Sequence, residues 1–348
     1  MIPRDARPLA AMLPALFLAV LALSGLAPHA AAAQDTPQFQ MPLECEIGVD
    51  CWVLRYFDHD PGDGMKDHQC GFMTGDNHRG TDIRVRDYVA MRQGMVVVAA
   101  ADGVVTATRD GVEDVAVKDN SDSRADISKY GLGNTVILSH GDGWTSAYGH
   151  MLKGSVLVRE GDQVSAGQPL GMVGLSGLTS FPHVHFMVKY NDKAIDPFTG
   201  LKQDPACGDT SETLWTQDAL AELQYIRTAM LVGGFADVVP NEDDALNGVY
   251  DQTMVRADGE AIVFWYHIIG ANKGDTETVT ITGPDGRVVV DREKVYQKDR
   301  VLVFDFIGDK HSEGPLAPGL YRAEYRLVRD VDGTRQTILG RTFEINVP

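Results

Sequence analysis

Two short stretches combine residue types able to hold a metal ion: His78-Arg79-Gly80-Thr81-Asp82 and His183-Val184-His185. The first puts an imidazole and a carboxylate four residues apart, with Gly80 between them where a tight backbone bend would need it. The second puts two imidazoles two residues apart, and on a β-strand that period sends both side chains to one face. Imidazole nitrogen and carboxylate oxygen both suit zinc, and a catalytic zinc ion takes three protein ligands while keeping a fourth position open. His150 lies between the two stretches and makes a fifth candidate. Five groups exceed three ligands. Amide hydrolysis also needs groups that move protons and stabilise a developing oxyanion, so the surplus fits the chemistry. Residue type and spacing leave open which three hold the ion.

Other titratable residues read differently. His140 precedes Gly141-Asp142-Gly143 in a hairpin loop and is expected to be structural, as are the isolated His267 and His311. Asp58-His59-Asp60 and His68 form a cluster in a loop rich in Gly, Pro and charge, for which capping and a second metal site both stay open. Tyr148 is expected either to hydrogen-bond in the cleft or to pack.

These groups need rigid elements to hold them. Between residues 44 and 197 short β-type runs alternate with Gly, Asp and Asn turns. Strands are predicted at 96–101, 103–108, 134–140, 145–150, 154–158, 168–174 and 183–190, making an all-β domain of two small sheets. The polar stretch 110–129 reads as a surface loop beside the cleft. Ser211-Glu212-Thr213-Leu214 reads as the cap of a helix through Trp215, Leu220, Leu223 and Ile226. Beyond Pro240, period-two runs at 261–269, 277–282, 287–291, 301–307, 320–329 and 336–345 predict an immunoglobulin-like β-sandwich. The expected division is a leader at 1–33, a catalytic domain at 34–205, a helical linker at 206–240 and a β-sandwich accessory domain at 241–348.

The leader is expected because Arg4 and Arg7 precede an apolar run over 9–26, and Ala31 and Ala33 then fit the small-residue cleavage rule. Cleavage would give a mature start at Gln34, with no integral membrane span and, since no cysteine follows, no lipid anchor. The expected destination is the periplasm, with an extracellular location as the alternative. A formal net charge of −18 argues against nucleic acid and anionic lipid as partners. In an exported protein the four cysteines, Cys45, Cys51, Cys70 and Cys207, read as two disulfides with three possible connectivities. The preferred pairing is Cys45 with Cys51, closing a small loop, and Cys70 with Cys207, tying the entrance of the catalytic region to its exit. The sequence carries no sign of oligomeric state.

Across residues 70–198 the chain resembles the LytM-type, or lysostaphin-like, M23 zinc metallopeptidases, which cleave the peptides of bacterial peptidoglycan. His78-x-Gly80-x-Asp82-Ile83 fits the family's first motif and His183-x-His185-Phe186 its last. Between them stand Gly133-Asn134-Thr135-Val136-Ile137, His140-Gly141, Tyr148-Gly149-His150 and Gly161-Asp162-x-Val164-x-x-Gly167-Gln168, in the family's order. The resemblance implies one Zn2+ ion held by His78, Asp82 and His185, with His150 and His183 flanking a metal-bound water nucleophile as acid/base and oxyanion-stabilising groups. It implies a mainly β, half-open catalytic fold of the lipoyl-like, barrel-sandwich hybrid kind and a peptidoglycan peptide as substrate. Phe181, Pro182 and Met187 depart from the family pattern near the last motif and bear on substrate fit rather than on the metal. A non-enzymatic LytM-like regulator of a cell-wall amidase is the alternative, though such regulators typically lack several metal ligands.

Overall fold

Alternating β-branched and polar residues dominate the chain, and its computed structural model is accordingly built from strands. The structure describes residues 1, 36–117, 131–202, 206–310 and 314–348. Residues 2–33 of the expected leader, residues 118–129 of the polar stretch and His311 lie outside the described residues.

The first part of the chain forms β1 (Cys51–Arg55), β2 (Thr81–Val85), β3 (Val96–Val98), β4 (Gly103–Arg109), β5 (Asn134–Gly141) and β6 (Trp144–Met151). These are followed by β7 (Gln163–Val164), β8 (Pro169–Met172), β9 (His183–Tyr190) and β10 (Lys193–Ile195). Eight of them make one antiparallel sheet in the order β1-β2-β9-β6-β5-β4-β7, with β10 on β9, while β3 pairs with β8 and, on its other edge, is bridged by Leu43. The two small sheets expected are therefore one large sheet and one two-stranded ribbon. The run predicted as a strand at 154–158 forms no ladder. Gly154 adopts φ +77°, and its N–H goes to the Asp110 carboxylate instead of a neighbouring strand.

The predicted helix from Ser211 through Ile226 is also corrected. Leu214, Trp215 and Thr216 run extended against Phe39, whose N–H donates to Leu214 O and whose carbonyl accepts from Thr216 N. That pairing drives the Trp215 ring into the core at 1% exposure. The Ser211 hydroxyl donates to Asp209 and caps nothing. Only Gln217–Glu222 is helical here, with the Thr216 hydroxyl accepting from Ala219 N. It follows α1 (Tyr88–Gln93), capped by Asp87, and is α2; α3 (Glu242–Leu246) is capped by Asn241. No helix among the described residues is long and apolar enough to cross a membrane.

A strand, β11 (Ala229–Ala236), occupies part of the expected helical linker and opens the sandwich. It joins β12 (Ala261–Ala271) and β15 (Arg300–Lys310) in one antiparallel sheet. The facing sheet has the order β14 (Val288–Val295), β13 (Thr276–Thr282), β16 (Gly319–Val331) and β17 (Thr334–Val347). Between the sheets Phe264, Tyr266 and Ile268 of β12 pack with Val279, Ile281, Tyr325 and Leu327. Within this core the Glu277 carboxylate accepts from the hydroxyls of Tyr266, Tyr296 and Tyr325 at 2.5, 2.6 and 3.0 Å. Such a buried carboxylate is tolerable because it is so fully hydrogen-bonded.

Every residue of β12 is buried, because its second face is covered too. Ala236, Ala245 and Tyr250 pack around Trp265, while Ile269 and Leu246 belong to the core that also contains Phe39, Phe186 and Trp215. The sandwich and the first sheet thus share apolar contacts.

Two disulfides close the chain on itself: Cys45 with Cys51, Cα atoms 6.1 Å apart, and Cys70 with Cys207, 5.4 Å apart. The second spans 137 residues and encloses every strand from β2 to β10. Cross-linking so long a loop restricts the unfolded chain strongly. Replacing Cys70 and Cys207 together by serine is expected to lower unfolding stability by about 3 kcal/mol, read from denaturant midpoints under oxidising conditions.

Candidate metal centre

β9 lies between β2 and β6, and this placement assembles the site. In the β2–β9 ladder Asp82 is paired with His185 and Arg84 with His183; in the β6–β9 ladder Gly149 is paired with His185. Cross-strand partners share a face, so the Asp82 carboxylate and both imidazoles of the last motif converge. β2 alternates Ile83 and Val85 on the core side with Asp82 and Arg84 on the site side, a pattern readable in the sequence though no strand was predicted there.

His150 stands at the neighbouring position of β6 with φ +59°, a left-handed conformation that costs a non-glycine residue on the order of 1–2 kcal/mol. Its N–H donates to Leu132 O at 2.6 Å, and its carbonyl accepts from Gly174. The ring therefore turns into the cleft.

His78 precedes β2 in a loop held by the upstream cluster. Asp58 accepts backbone N–H groups from Asp60, Lys66 and Asn77, and its own N–H donates to His78 O. His59 pairs with Asp196 at 2.7 Å, and His68 stacks on Phe198 with centroids 4.5 Å apart. Asp58 and Asp60 thus cap the loop, while His59 is held by its ion pair and His68 by its stack. Among the described residues none of the cluster's members joins a metal-competent group.

All five candidates meet in one cleft of about 400 Å³, also lined by Arg55 and Phe181. Potential ligand atoms of His78, Asp82 and His185 lie within 4.8 Å of one another, as do those of His150, His183 and His185. Asp82 Oδ1 is the common point, 3.0 Å from His78 Nε2, 3.3 Å from His183 Nε2 and 2.7 Å from His185 Nδ1.

Backbone carbonyls orient the rings. Nδ1 of His78 lies 2.7 Å from Tyr56 O, that of His150 2.7 Å from Ser176 O, and that of His183 2.9 Å from Phe181 O. A carbonyl only accepts, so each Nδ1 carries the proton and each Nε2 presents its lone pair to the cleft. The His78 and His183 lone pairs then face the Asp82 carboxylate, acceptor against acceptor. That arrangement needs positive charge between the groups, either an imidazolium proton or a metal cation. The donor set therefore fits a divalent ion such as zinc.

Electrostatics agree. Burial works against the Asp82 charge, but His78, His183 and the imidazole hydrogen bonds outweigh it and hold the carboxyl well below its usual range. Burial likewise opposes charge on His78, yet Asp82 and the Tyr56 carbonyl raise its pKa. Burial pushes His185 down, and it pushes His150 far down with His183 and His185 adding to the effect.

Gly80 is needed for a reason other than the expected bend. Its φ is not in the left-handed region, but a Cβ there would lie 2.6 Å from the His185 ring and 2.8 Å from Phe186 O. Sequence reasoning also missed Thr179, whose hydroxyl bonds Phe181 O and stands 3.2 Å from His183 Nδ1. Its position four residues before His183 was the only available signal. His140 is structural, bonded to Asp102 O and the Ser146 hydroxyl. Tyr148 packs in the core, with its hydroxyl accepting from Ala100 N and its pKa raised to about 12 by burial.

A carboxylate and four imidazoles converge from three strands and a loop of a β-sheet protein onto one concave site that could hold a metal ion. The family model for Peptidase family M23 matches residues 76–197. "Lipoprotein NlpD" of Yersinia enterocolitica is 40% identical over 73 residues, which cover 21% of this chain and 72% of that protein. "Murein hydrolase activator NlpD" of Salmonella dublin is 32% identical over 143 residues, 41% of this chain and 31% of that protein. Among solved structures, the catalytic domain of a variant of the prophage-encoded M23 protein EnpA from Enterococcus faecalis aligns with 24% identity and a TM-score of 0.29, covering 47% of this chain and 94% of that one. The chain belongs to peptidase family M23. It spans about a third of the length of the first of these curated NlpD relatives from Salmonella.

Two outcomes are expected. Gly80→Ala should displace His185 and lower zinc affinity on the order of ten- to a hundred-fold without unfolding the chain, measured by competition with a chromophoric chelator and by circular dichroism. Zinc binding should weaken as pH falls through the raised pKa of His78 and below, because the metal must displace the proton held there. Calorimetry in buffers of different ionisation enthalpy should show proton release increasing over the same range.

Proposed function

We propose that this protein is a zinc-dependent endopeptidase that hydrolyses peptide cross-links of bacterial peptidoglycan. The observation that supports the reading most is the complete donor set: His78, Asp82 and His185 grouped within 4.8 Å, with His150 and His183 beside them. In this reading His78, Asp82 and His185 hold one Zn2+ ion, which when bound supplies Lewis acidity and acidifies a water molecule. His150 is neutral near pH 7 because burial keeps its pKa low, so Nε2 is free to take a proton. His183, with Nδ1–H anchored on Phe181 O, points Nε2 into the same cleft and, when protonated at both nitrogens, would donate from Nε2 to the scissile carbonyl oxygen as charge develops there.

The catalytic domain of this reading is 34–205, and the sandwich is an accessory domain. Export to the periplasm accords with the leader-like sequence at 1–33 and with a wall substrate. A second reading, a regulator that activates a separate wall hydrolase, is favoured by the name of the Salmonella relative, a murein hydrolase activator. The intact donor set weighs for the enzyme.

The test incubates the mature protein with purified peptidoglycan, with zinc and with chelator, and identifies released fragments by mass. Zinc-dependent release is expected, abolished by chelation and by His78→Ala or Asp82→Asn. His150→Ala should keep the metal yet lose on the order of 10²- to 10⁴-fold in rate. No release by the wild type, together with stimulation of a purified wall amidase, would establish the regulator instead.

A further inference from the structure

Arg55 is the only lysine or arginine among the described residues that line the metal cleft. An irregularity in β1 puts it there. The β1–β2 ladder opposes Val53 to Ile83 and then shifts register, so that Arg55 rather than Leu54 stands opposite Asp82. In an unshifted ladder Leu54 would take that place and the arginine would turn to the other face of the sheet. A bulge beside a site is a recurrent way to re-aim one side chain. Because Asp82 is itself opposite His185, the pairing sets Arg55, Asp82 and His185 in one row across three strands.

The guanidinium is unmatched. Its Nε is shut off from solvent and makes no hydrogen bond, and no carboxylate among the described residues forms an ion pair with it. Its Cζ instead lies 5.6 Å from the Phe181 ring centroid. Asp82, the carboxylate across the ladder, is engaged by three imidazoles. A sheltered donor left unused on a cation that lines a cleft is uncommon, and it points to an anionic ligand group. Arg84, the other guanidinium at Phe181, does not share this position. Its Nη1 is also unbonded, but the residue is 0% exposed, donates to Val85 O and Arg86 O, and does not line the cleft. Beyond Phe181 lies a separate cavity of about 540 Å³, bounded by Phe304 and by His267, whose ring nitrogens make no hydrogen bond. Among the described residues no lysine or arginine lines that second space.

We propose that Arg55 is a specificity-determining residue of the metal cleft that binds a free carboxylate of the peptide substrate, one or two residues from the scissile bond. Cross-strand neighbours stand about 5 Å apart at Cβ and an extended peptide advances about 3.3 Å per residue, so the step from the metal ligands to the guanidinium matches that spacing. The planar fork presents Nε–H and one Nη–H to the two carboxylate oxygens. Naming the anion a substrate group rests on the endopeptidase reading; the unmatched cation does not.

The experiment uses the full chain loaded with zinc and two pairs of probes that differ only in charge. In acetyl-alanyl-alanine and its amide the carboxylate is at the chain end; in acetyl-alanyl-glutamate amide and acetyl-alanyl-glutamine amide it is on a side chain. Affinities are read by NMR of ring-labelled histidine, with the cleft histidines as reporters. Zinc attracts carboxylates too, but its share is common to wild type and variant, so the comparison of acid-to-amide ratios isolates Arg55. R55Q is expected to lower the ratio roughly ten-fold in at least one pair, which identifies the source of the carboxylate, with amide affinity and melting temperature unchanged. R55K, which keeps the charge without the fork, should lower it by a smaller factor. A ratio unchanged in every variant that folds would leave the carboxylate to the metal and overturn the proposal. Equal weakening of acid and amide by R55Q, the mark of a structural role, would overturn it as well. Turnover is not needed for this readout. A chain that selects the acid through Arg55 but releases no wall fragments upholds the anion subsite and defeats the catalytic reading, whereas one that releases fragments without that selection does the reverse.

Discussion

The Asp82 carboxylate is the constraint around which the site is arranged. It is 3% exposed, and a buried carboxylate left alone would cost several kcal/mol. Three imidazole nitrogens lie within 3.3 Å of Oδ1: His185 Nδ1 can donate a hydrogen bond to it, while Nε2 of His78 and of His183 need a proton or a metal cation between them and the carboxylate. Each of those rings must then be held, and the protein holds them through chemistry that cannot drift: the carbonyls of Tyr56 and Phe181 fix His78 and His183, and the ladder between β2 and β9 fixes His185 against Asp82. The loop bearing His78 is tied down in turn by Asp58, another buried carboxylate, whose lone pairs are used on backbone N–H groups.

Close backbone approach is the second demand. Gly80 leaves room for the His185 ring, and Gly133 and Gly177 let two loops touch, since a Cβ on either would lie 2.3–2.4 Å from the other loop's backbone. These loops include the Ser176 carbonyl that orients His150. Glycine at these places is a packing requirement, and at Gly133 and Gly177, with φ +63° and +81°, a conformational one as well.

Phe181 links the site to the rest of the molecule. Its ring stacks on His183 with centroids 4.4 Å apart and receives the guanidiniums of Arg55 and Arg84 at 5.6 and 5.4 Å. Its other side lines the cavity bounded by the sandwich. β12 is buried on both faces, so the sandwich is packed against its surroundings and contributes wall residues to a space one side chain away from the metal cleft.

Local residue order was enough to single out the five groups that the fold brings into one cleft. The five groups of the site, the strand character of β4, β5, β6 and β9, and two separate β-rich regions follow from residue type, period and turn signals, because these are properties of neighbours in sequence. Where tertiary partners decided, the local signals misled. The segment around Trp215 had a helical pattern, but pairing with Phe39 and burial of the indole hold it extended. β11 went unread inside a presumed helical linker because its partner, β12, lies more than twenty residues further along. The role of Gly80 depends on a ring 105 residues away, and the orphan nitrogens of His267 depend on what the sandwich encloses. The sequence by itself determined which groups could do the chemistry. Only the tertiary structure decided which atoms face one another, since tautomers, close approaches and shared cavities arise from contacts between residues distant in the chain.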